Sequence, residues 1–473
     1  MKLHFFGGAG TVTGACYLLE VAGKKILMEC GLLQGEAEAD DYNNSEFKFN
    51  PAEIDAVVVS HSHLDHIGRL PQLVKAGFEE KIYATPPTVD FARIILEDSI
   101  KILEEKARHA GVIPIFGDQE VDQIMKHFVP VDYYKKTEIL PGVLVEFFNA
   151  GHILGSAVIK IAAEGQIIVF SGDLGNPSSP LLKAPDFLEE ADYVLIESAY
   201  GDRNHESPEK AKEIIEDVVE DAVANKGVLL IPSFALERTQ QLLYHLNELV
   251  ENHKVPAIPV YFDSPLALRA TSIYAKYPHY YNKEATDQIR KGDDIFTFPG
   301  LNVTRSSEES KAINNVDPPK IIIAGSGMSQ GGRILHHEQR YLSDPKTIML
   351  FVTYQAAGTL GRRIFDGDKK VKILDQEISV KARIEKISGY SSHADQKFLL
   401  EWLNHFQKPC YPDIGEKCGR LKKVWIVQGE RSASEVLATL VRDQLGVEAE
   451  VPQLDQSVEL TETAVVGEAI GVK

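Results

Sequence analysis

The 473-residue chain contains no apolar run approaching the ~18–20 residues that a membrane-spanning helix needs. It has only four cysteines, Cys16, Cys30, Cys410 and Cys418, and no CxxC pair, which excludes a disulfide scaffold and a four-cysteine zinc ribbon. Cys410 and Cys418 share the stretch KPCYPDIGEKCGRLKK. Lacking a second pair they make a weak zinc site, and a local disulfide is the less favoured alternative. Basic residues are also short: 50 Lys and Arg against 69 Asp and Glu leave a net charge of −19. A broad cationic face that coats nucleic acid is thereby excluded. Contact with a polyanion must be confined to a narrow basic cleft or be mediated by bound cations, and most of the charge reads as a solvated acidic surface. There is no internal repeat of fixed period and no linker rich in Ser, Gly or Pro. Residues 1–10 lack the charged and then apolar segments of a signal peptide. With so few cysteines, this predicts a cytoplasmic protein that does not engage a membrane. What is present is ordinary globular composition, 44% hydrophobic and 25% charged, at a length that predicts two or three domains.

Short strands are predicted at residues 3–6, 15–21, 25–29 and 56–60, separated by glycine or asparagine clusters. A helical period begins near residue 87 and runs through ARIILEDSIKILEEKARHA; strands resume at 144–148, 157–162, 167–170 and 193–196. The texture then changes. Ser207 as N-cap, Pro208 in the first turn and Gly227 past the end bracket a helix. Beyond it VLLIPSF, PVYFDS, PKIIIAGSGM and KTIMLFVTY read as buried strands alternating with helices, among them ERTQQLLYHLNELV. That alternation predicts a parallel α/β sheet. From about residue 380, ARIEKIS, FLLEWLNHF and KVWIVQGE return to strand–helix–strand.

Chemistry concentrates in His61-Ser62-His63-Leu64-Asp65-His66, directly after the apolar strand AVVVS. A turn at a strand end lets these side chains converge, and imidazole with carboxylate suits zinc better than magnesium or calcium. His152, in NAGHILGS, and Asp173, in VFSGDLGN, each stand at a strand end further along. Either alone would read as a cap or a satisfied polar group. In order after the first cluster they read as ligands.

HSHLDH, AGHILGS and SGDLG together resemble the metallo-β-lactamase fold. The resemblance implies an αββα sandwich with two metals, taken here as zinc, at one edge of its sheets. His61, His63, His152 and Asp173 would hold the first ion; Asp65, His66 and a bridging Asp173 would hold the second. A hydroxide shared by both ions would be the nucleophile, a step in which Asp65 takes part.

The segment Glu197-Ser198-Ala199-Tyr200-Gly201-Asp202-Arg203 is similar to the first signature of the β-CASP subfamily. That nuclease branch includes ribonuclease J and the endonuclease subunit of pre-mRNA cleavage factor. IPSFALERTQQLLYHL, YFDSPLA, GSGMSQGGRILHH, YQAAGTLGRRI and GYSSHAD extend the likeness over nearly the whole chain. It implies a metal-binding domain over residues 1–205 and 376–473, with an α/β domain inserted at 206–375. His393, in GYSSHAD, would protonate the leaving oxygen while Glu197 orients it; a carboxylate beside an imidazole keeps it protonated near neutrality. A helix-starting cap is the plainer role of the same segment, and the two are compatible.

Two departures stand out. The third signature usually carries histidine in a Val-His-Gly-Glu context, but here it reads Val427-Gln428-Gly429-Glu430, after an insertion-like stretch at 409–422. A neutral glutamine implies a second site that is weaker, takes another ligand or prefers manganese. Glu29, in LMECG, stands where the family usually has an aspartate that orients a histidine ligand.

For polyanion contact, Ser326, Gly327 and the other glycines of residues 325–332 suggest an anion cradle at a helix N-terminus, with Arg333 beside it. Arg238, Arg362 and Arg363 are candidates for the same cleft, against the plainer reading of exposed surface. Phe234 and Tyr354 are candidates for stacking on bases, against the plainer reading of core aromatics. The expectation is a zinc-dependent ribonuclease acting on single-stranded RNA, with a homodimer compatible with the resemblance. A DNA nuclease, a non-catalytic RNA-binding subunit and a small-molecule hydrolase of the same fold are the alternatives.

Overall fold

The structure, a computed structural model, describes residues 1–35, 38–110, 114–206, 208–356, 358–387, 391–407, 409–411, 416–417 and 421–460. The cap expected at Ser207, Cys418 and half of the 409–422 stretch lie outside the described residues. Cys16 and Cys30 are buried free thiols. Among the described residues no helix is long and apolar enough to cross a membrane.

Two seven-stranded sheets form the first body. One runs Ser457–Glu459, Lys2–Gly7, Cys16–Val21, Lys24–Met28, Ala56–Val58, Lys81–Ala84, Phe128–Pro130. The other runs Glu448–Glu450, Lys423–Val427, Tyr193–Glu197, Gln166–Phe170, Ala157–Ala163, Val143–Asn149, Thr137–Leu140. Each sheet is half antiparallel and half parallel. Alternate residues of neighbouring strands face opposite ways. Leu19, Ile26 and Val58 point into the core shared with Val145, Phe147, Ile159 and Trp425 of the second sheet. Leu18, Leu27 and Val57 point outward, yet are buried among Leu70, Phe91 and Leu96, because the helices Leu70–Lys75 and Pro86–Ala110 cover that face. Helices Gln396–Asn404 and Arg431–Leu440 cover the outer face of the second sheet through Phe398, Trp402 and Leu437. Strands buried on both faces are why these segments read as continuous apolar runs. The result is the expected αββα sandwich.

A third sheet, Leu301–Val303, Val260–Asp263, Lys320–Ala324, Val228–Pro232, Ile348–Phe351, Arg383–Lys386, is parallel throughout. Helices pack on both sides: Pro208–Ala224 and Arg238–Glu251 contribute Ile215, Val219, Leu242 and Leu246 to one face, and Ile334–Tyr341 and Leu360–Phe365 cover the other. This is the parallel α/β layer that the alternating texture predicts. Its edge differs from expectation. Arg383–Lys386 pairs with Ile348–Phe351, so the strand read as the return of the first body belongs to the third sheet, which runs past residue 375. A strand's sequence specifies two faces and does not name its neighbour, so sheet membership was not legible there.

Candidate metal centre

The parallel halves of the sandwich deliver the polar side chains. In such sheets ligands gather at the carboxyl ends of strands. His61 follows Ala56–Val58, Asp173 follows Gln166–Phe170, Glu197 ends Tyr193–Glu197, and Gln428 follows Lys423–Val427. His152 comes from the turn joining Val143–Asn149 to Ala157–Ala163. His63 is the N-cap of the short helix Leu64–Ile67, which carries Asp65 and His66 in its single turn.

Four of these groups converge. His61 Nε2 lies 3.0 Å from His63 Nδ1, and His63 Nδ1 lies 3.2 Å from His152 Nε2. Asp173 Oδ2 is 3.4 Å from His61 Nε2 and 3.5 Å from His152 Nε2. Donors about 2.0 Å from a tetrahedral zinc stand about 3.3 Å apart, so the spacing of these donors fits such an ion. The electrostatics fit as well. Burial first, and neighbouring imidazoles second, hold His61 and His152 well below the usual histidine range, and burial takes His63 down to about 3. All three imidazoles are therefore neutral, with lone pairs to give. Burial opposes ionisation of Asp173, but His66 and His61 outweigh it and hold its carboxyl well below the ordinary range.

The remaining expected ligands form a second group. His66 Nε2 lies 3.3 Å from Asp173 Oδ1 and 3.7 Å from Asp65 Oδ2, so Asp173 presents one oxygen to each group. Burial lifts Asp65 to about 6, with Asp173 adding to the rise and His66 opposing it. Gln428 Nε2 donates to Asp173 Oδ1 at 2.9 Å and lies 3.0 Å from His66 Nε2. Glu29 meets this group from behind: its carboxylate is 3.1 Å from His66 Nδ1 and accepts the Ser60 N–H at 2.6 Å.

Beside the metal ligands, His393 Nδ1 lies 3.1 and 3.2 Å from the two carboxylate oxygens of buried Glu197. Its ring centroid is 4.5 Å from that of His152. Burial pulls the imidazole down, but the charge and hydrogen bond of Glu197 push harder, to about 9. The segment is stitched in place by Ala394 N–H to Leu174 O at 2.8 Å and Asn176 N–H to Ser392 O at 3.1 Å. Gly175 lets its loop approach the turn that carries His152, since a Cβ there would stand 1.9 Å from Gly151 O.

Three family profiles match in order: a metallo-β-lactamase superfamily domain over residues 18–198, a Beta-Casp domain over 239–364, and a Zn-dependent metallo-hydrolase RNA specificity domain over 377–452. Ribonuclease TTHA0252 of Thermus thermophilus is 40% identical over 404 residues, covering 85% of this chain and 90% of the relative. The chain belongs to the β-CASP branch of the metallo-β-lactamase superfamily. An RNase J-like protein of Methanocaldococcus jannaschii is 29% identical, with 95% of this β-CASP chain and 97% of that protein aligned. The transcription termination factor FttA of Methanosarcina mazei is 31% identical, with 95% and 70% covered. A crystal structure of a protein of unknown function from Enterococcus faecalis V583 shares the fold, with a TM-score of 0.56 at 12% identity over 97% of this chain and 99% of that one.

The expected substrate contacts divide. Arg238 of this β-CASP protein is buried, donates to Gln241 Oε1 at 3.0 Å, and its charge bears on His63, His393, Tyr200 and His205. It stands at the site. Arg333 is paired within the fold. It donates to buried Asp263 at 2.6 Å, which also receives His337 at 2.7 Å, Ser310 at 2.6 Å and Thr304. A fully buried carboxylate must gather donors, and Asp263 claims Arg333. Of the cradle expected of Ser326 and Gly327, the Ser326 N–H is committed internally. Ser326 gives its N–H to Gly331 O and takes the Gln330 N–H on its hydroxyl, while Gly327 O accepts Thr353 and Gln355. Arg362 and Arg363 pair with Asp366 and Asp368 on the surface. Phe234 packs against Gly327, whereas Tyr354 is exposed and donates to Glu430 at 3.0 Å.

Sequence reasoning missed several supports. Ser60 Oγ meets His61 Nδ1 at 3.0 Å, and Ser392 O meets His152 Nδ1 at 3.1 Å, so each fixes its ring. Both serines adjoin motif residues, which was the available signal. His205, whose Nε2 is 3.0 Å from His393 O, gave none.

Proposed function

We propose that this chain is a metal-dependent ribonuclease that hydrolyses phosphodiester bonds of single-stranded RNA, leaving 3′-hydroxyl and 5′-phosphate ends. The observation that carries the reading is an imidazole kept charged by Glu197, in contact with a four-donor cluster at zinc spacing. The name and extent of the 40% identical relative and the RNA specificity profile support RNA as substrate.

His61, His63, His152 and Asp173 would hold the first ion, read as zinc; Asp65, His66 and Asp173 would hold a second. Such ions, when bound, make water acidic enough to attack near neutral pH and offset charge on the phosphate. Glu29 and Ser60 fix His66 and His61, so the donors are aimed before substrate arrives. His393, protonated, gives its proton to the departing ribose oxygen, and Glu197 holds the ring and stabilises the charge until transfer. Arg238 supplies a fixed positive charge for the phosphate in an otherwise acidic molecule. The third sheet belongs to the insertion, which on sheet membership ends at Lys386. A cytoplasmic location and a homodimer complete the reading.

The test is cleavage of matched labelled RNA and DNA oligonucleotides by the native chain and by His63→Ala. RNA cleavage lost in the variant is the expected result. Activity on DNA alone would identify a DNA nuclease, and unchanged activity in His63→Ala would refute the assigned site.

A further inference from the structure

The side chain of Gln428 occupies the corner of the second ligand group where the family usually places an imidazole. Its backbone is held at both ends: its N–H donates to Gly8 O at 2.8 Å, and its carbonyl accepts Ser198 N–H at 3.3 Å. Gly429 beside it has no room for a side chain, since a Cβ would lie 2.2 Å from Ser198 Oγ. Gln428 itself takes the left-handed region, with φ of 48°, which an unbranched residue other than glycine adopts only under constraint. The constraint aims the amide inward. It is buried, with its nitrogen 2.9 Å from Asp173 Oδ1 and 3.0 Å from His66 Nε2, two donor atoms of the second group.

The other end of the amide is the informative one. Gln428 Oε1 is buried with no hydrogen-bond partner. Leaving such an oxygen unsatisfied costs about 1–3 kcal/mol, and native interiors avoid it. A half-turn of the terminal torsion exchanges the two ends of an amide with little change in shape. It would bring the carbonyl oxygen to the position between Asp173 Oδ1 and His66 Nε2, facing the same space as those two donor atoms. A carbonyl oxygen is a metal donor; an amide N–H is not.

Resting on the metal-dependent reading above, we infer that Gln428 is a ligand of the second ion through Oε1, and that this neutral oxygen sets the ion preference there. The second position then has two carboxylates, one imidazole and one carbonyl. Replacing imidazole by a carbonyl lowers affinity for zinc and moves the balance toward oxygen-preferring ions such as manganese. The first position, with three imidazoles, keeps zinc. The chain is therefore a mixed site, with one ion held firmly and one exchangeable.

The measurement is metal content per chain by plasma mass spectrometry after dialysis, with calorimetric titration of manganese and of zinc into the dialysed protein. The native chain should retain one zinc and take up a second ion reversibly, with Gln428→His retaining two zincs. Gln428→Leu should keep the first ion and bind the second roughly tenfold or more weakly, a loss in the range seen when metal-site partners are removed. A native chain that keeps two zincs through dialysis overturns the inference, as does second-ion binding unaltered in Gln428→Leu. If Gln428→Leu fails to fold, as read by its circular-dichroism melt, Gln428→His decides: second-ion zinc affinity equal to the native chain refutes the ligand role. A native chain that binds no ion at all refutes the metal centre itself, a result distinct from both.

Discussion

Replacing Glu197 by glutamine should move the alkaline loss of cleavage from about pH 9 down toward neutrality. The amide keeps the shape and accepts a hydrogen bond from His393 but removes the charge that holds its proton. With Glu197 in place, the imidazole is raised to about 9. With protonated His393 as the proposed acid, activity should be retained below that value and lost as pH rises through it. Without the carboxylate, burial is left to pull the group to the ordinary ~6.5 or lower. At pH 8 the protonated fraction is then about 0.9 in the native chain and about 0.03 in the variant. At pH 6 the fractions are about 1.0 and about 0.8. Glu197→Gln should therefore lose little at pH 6 and about thirtyfold at pH 8, a penalty that grows with pH. The assay is kcat/KM on a fluorogenic RNA oligonucleotide from pH 5.5 to 9.5. The acidic limb set by the metal centre is common to both proteins and cancels in the ratio. A loss of equal size at pH 6 and pH 8 would refute the role given to the pair, because a purely positional defect has no reason to follow proton occupancy.

Two further outcomes follow from the same contacts. Chelation should lower the melting temperature and readdition of zinc restore it, since an ion at about a hundred times its Kd adds about 2.7 kcal/mol to the folded state; an unchanged melt in a scanning calorimeter would speak against ions at these ligands. Asp263→Ala should destabilise the chain by about 3–5 kcal/mol, because Arg333 and His337 lose their buried partner. Cleavage by the folded fraction should keep its KM, and a raised KM at native stability would return Arg333 to the substrate.

The candidate ligands were legible because their chemistry leaves few alternatives: four possible ligands within six residues after an apolar strand, then His152 and Asp173 at later strand ends. The pairing of His393 with Glu197, 196 positions apart, was legible only through family likeness, as no local rule links them. The pairing of Arg333 with Asp263 was not legible, for a physical reason. Glycines before an arginine describe an anion site equally well whether the anion is a phosphate or a buried Asp263, and sequence order does not bring Asp263 to mind. The fold followed the same division. Periodicity marked the strands and the parallel layer, while the allegiance of Arg383–Lys386 depended on an edge that only assembled neighbours define.

The strands Lys2–Gly7 and Ser457–Glu459 lie side by side, with His4 opposite Ser457, and the candidate reaction centre draws on residues from Glu29 to Gln428. A ribosome making this chain thus releases most of the polypeptide before His393 and Gln428 emerge. Until then the growing product holds Glu197 without its imidazole partner and Asp173 without the amide that meets it.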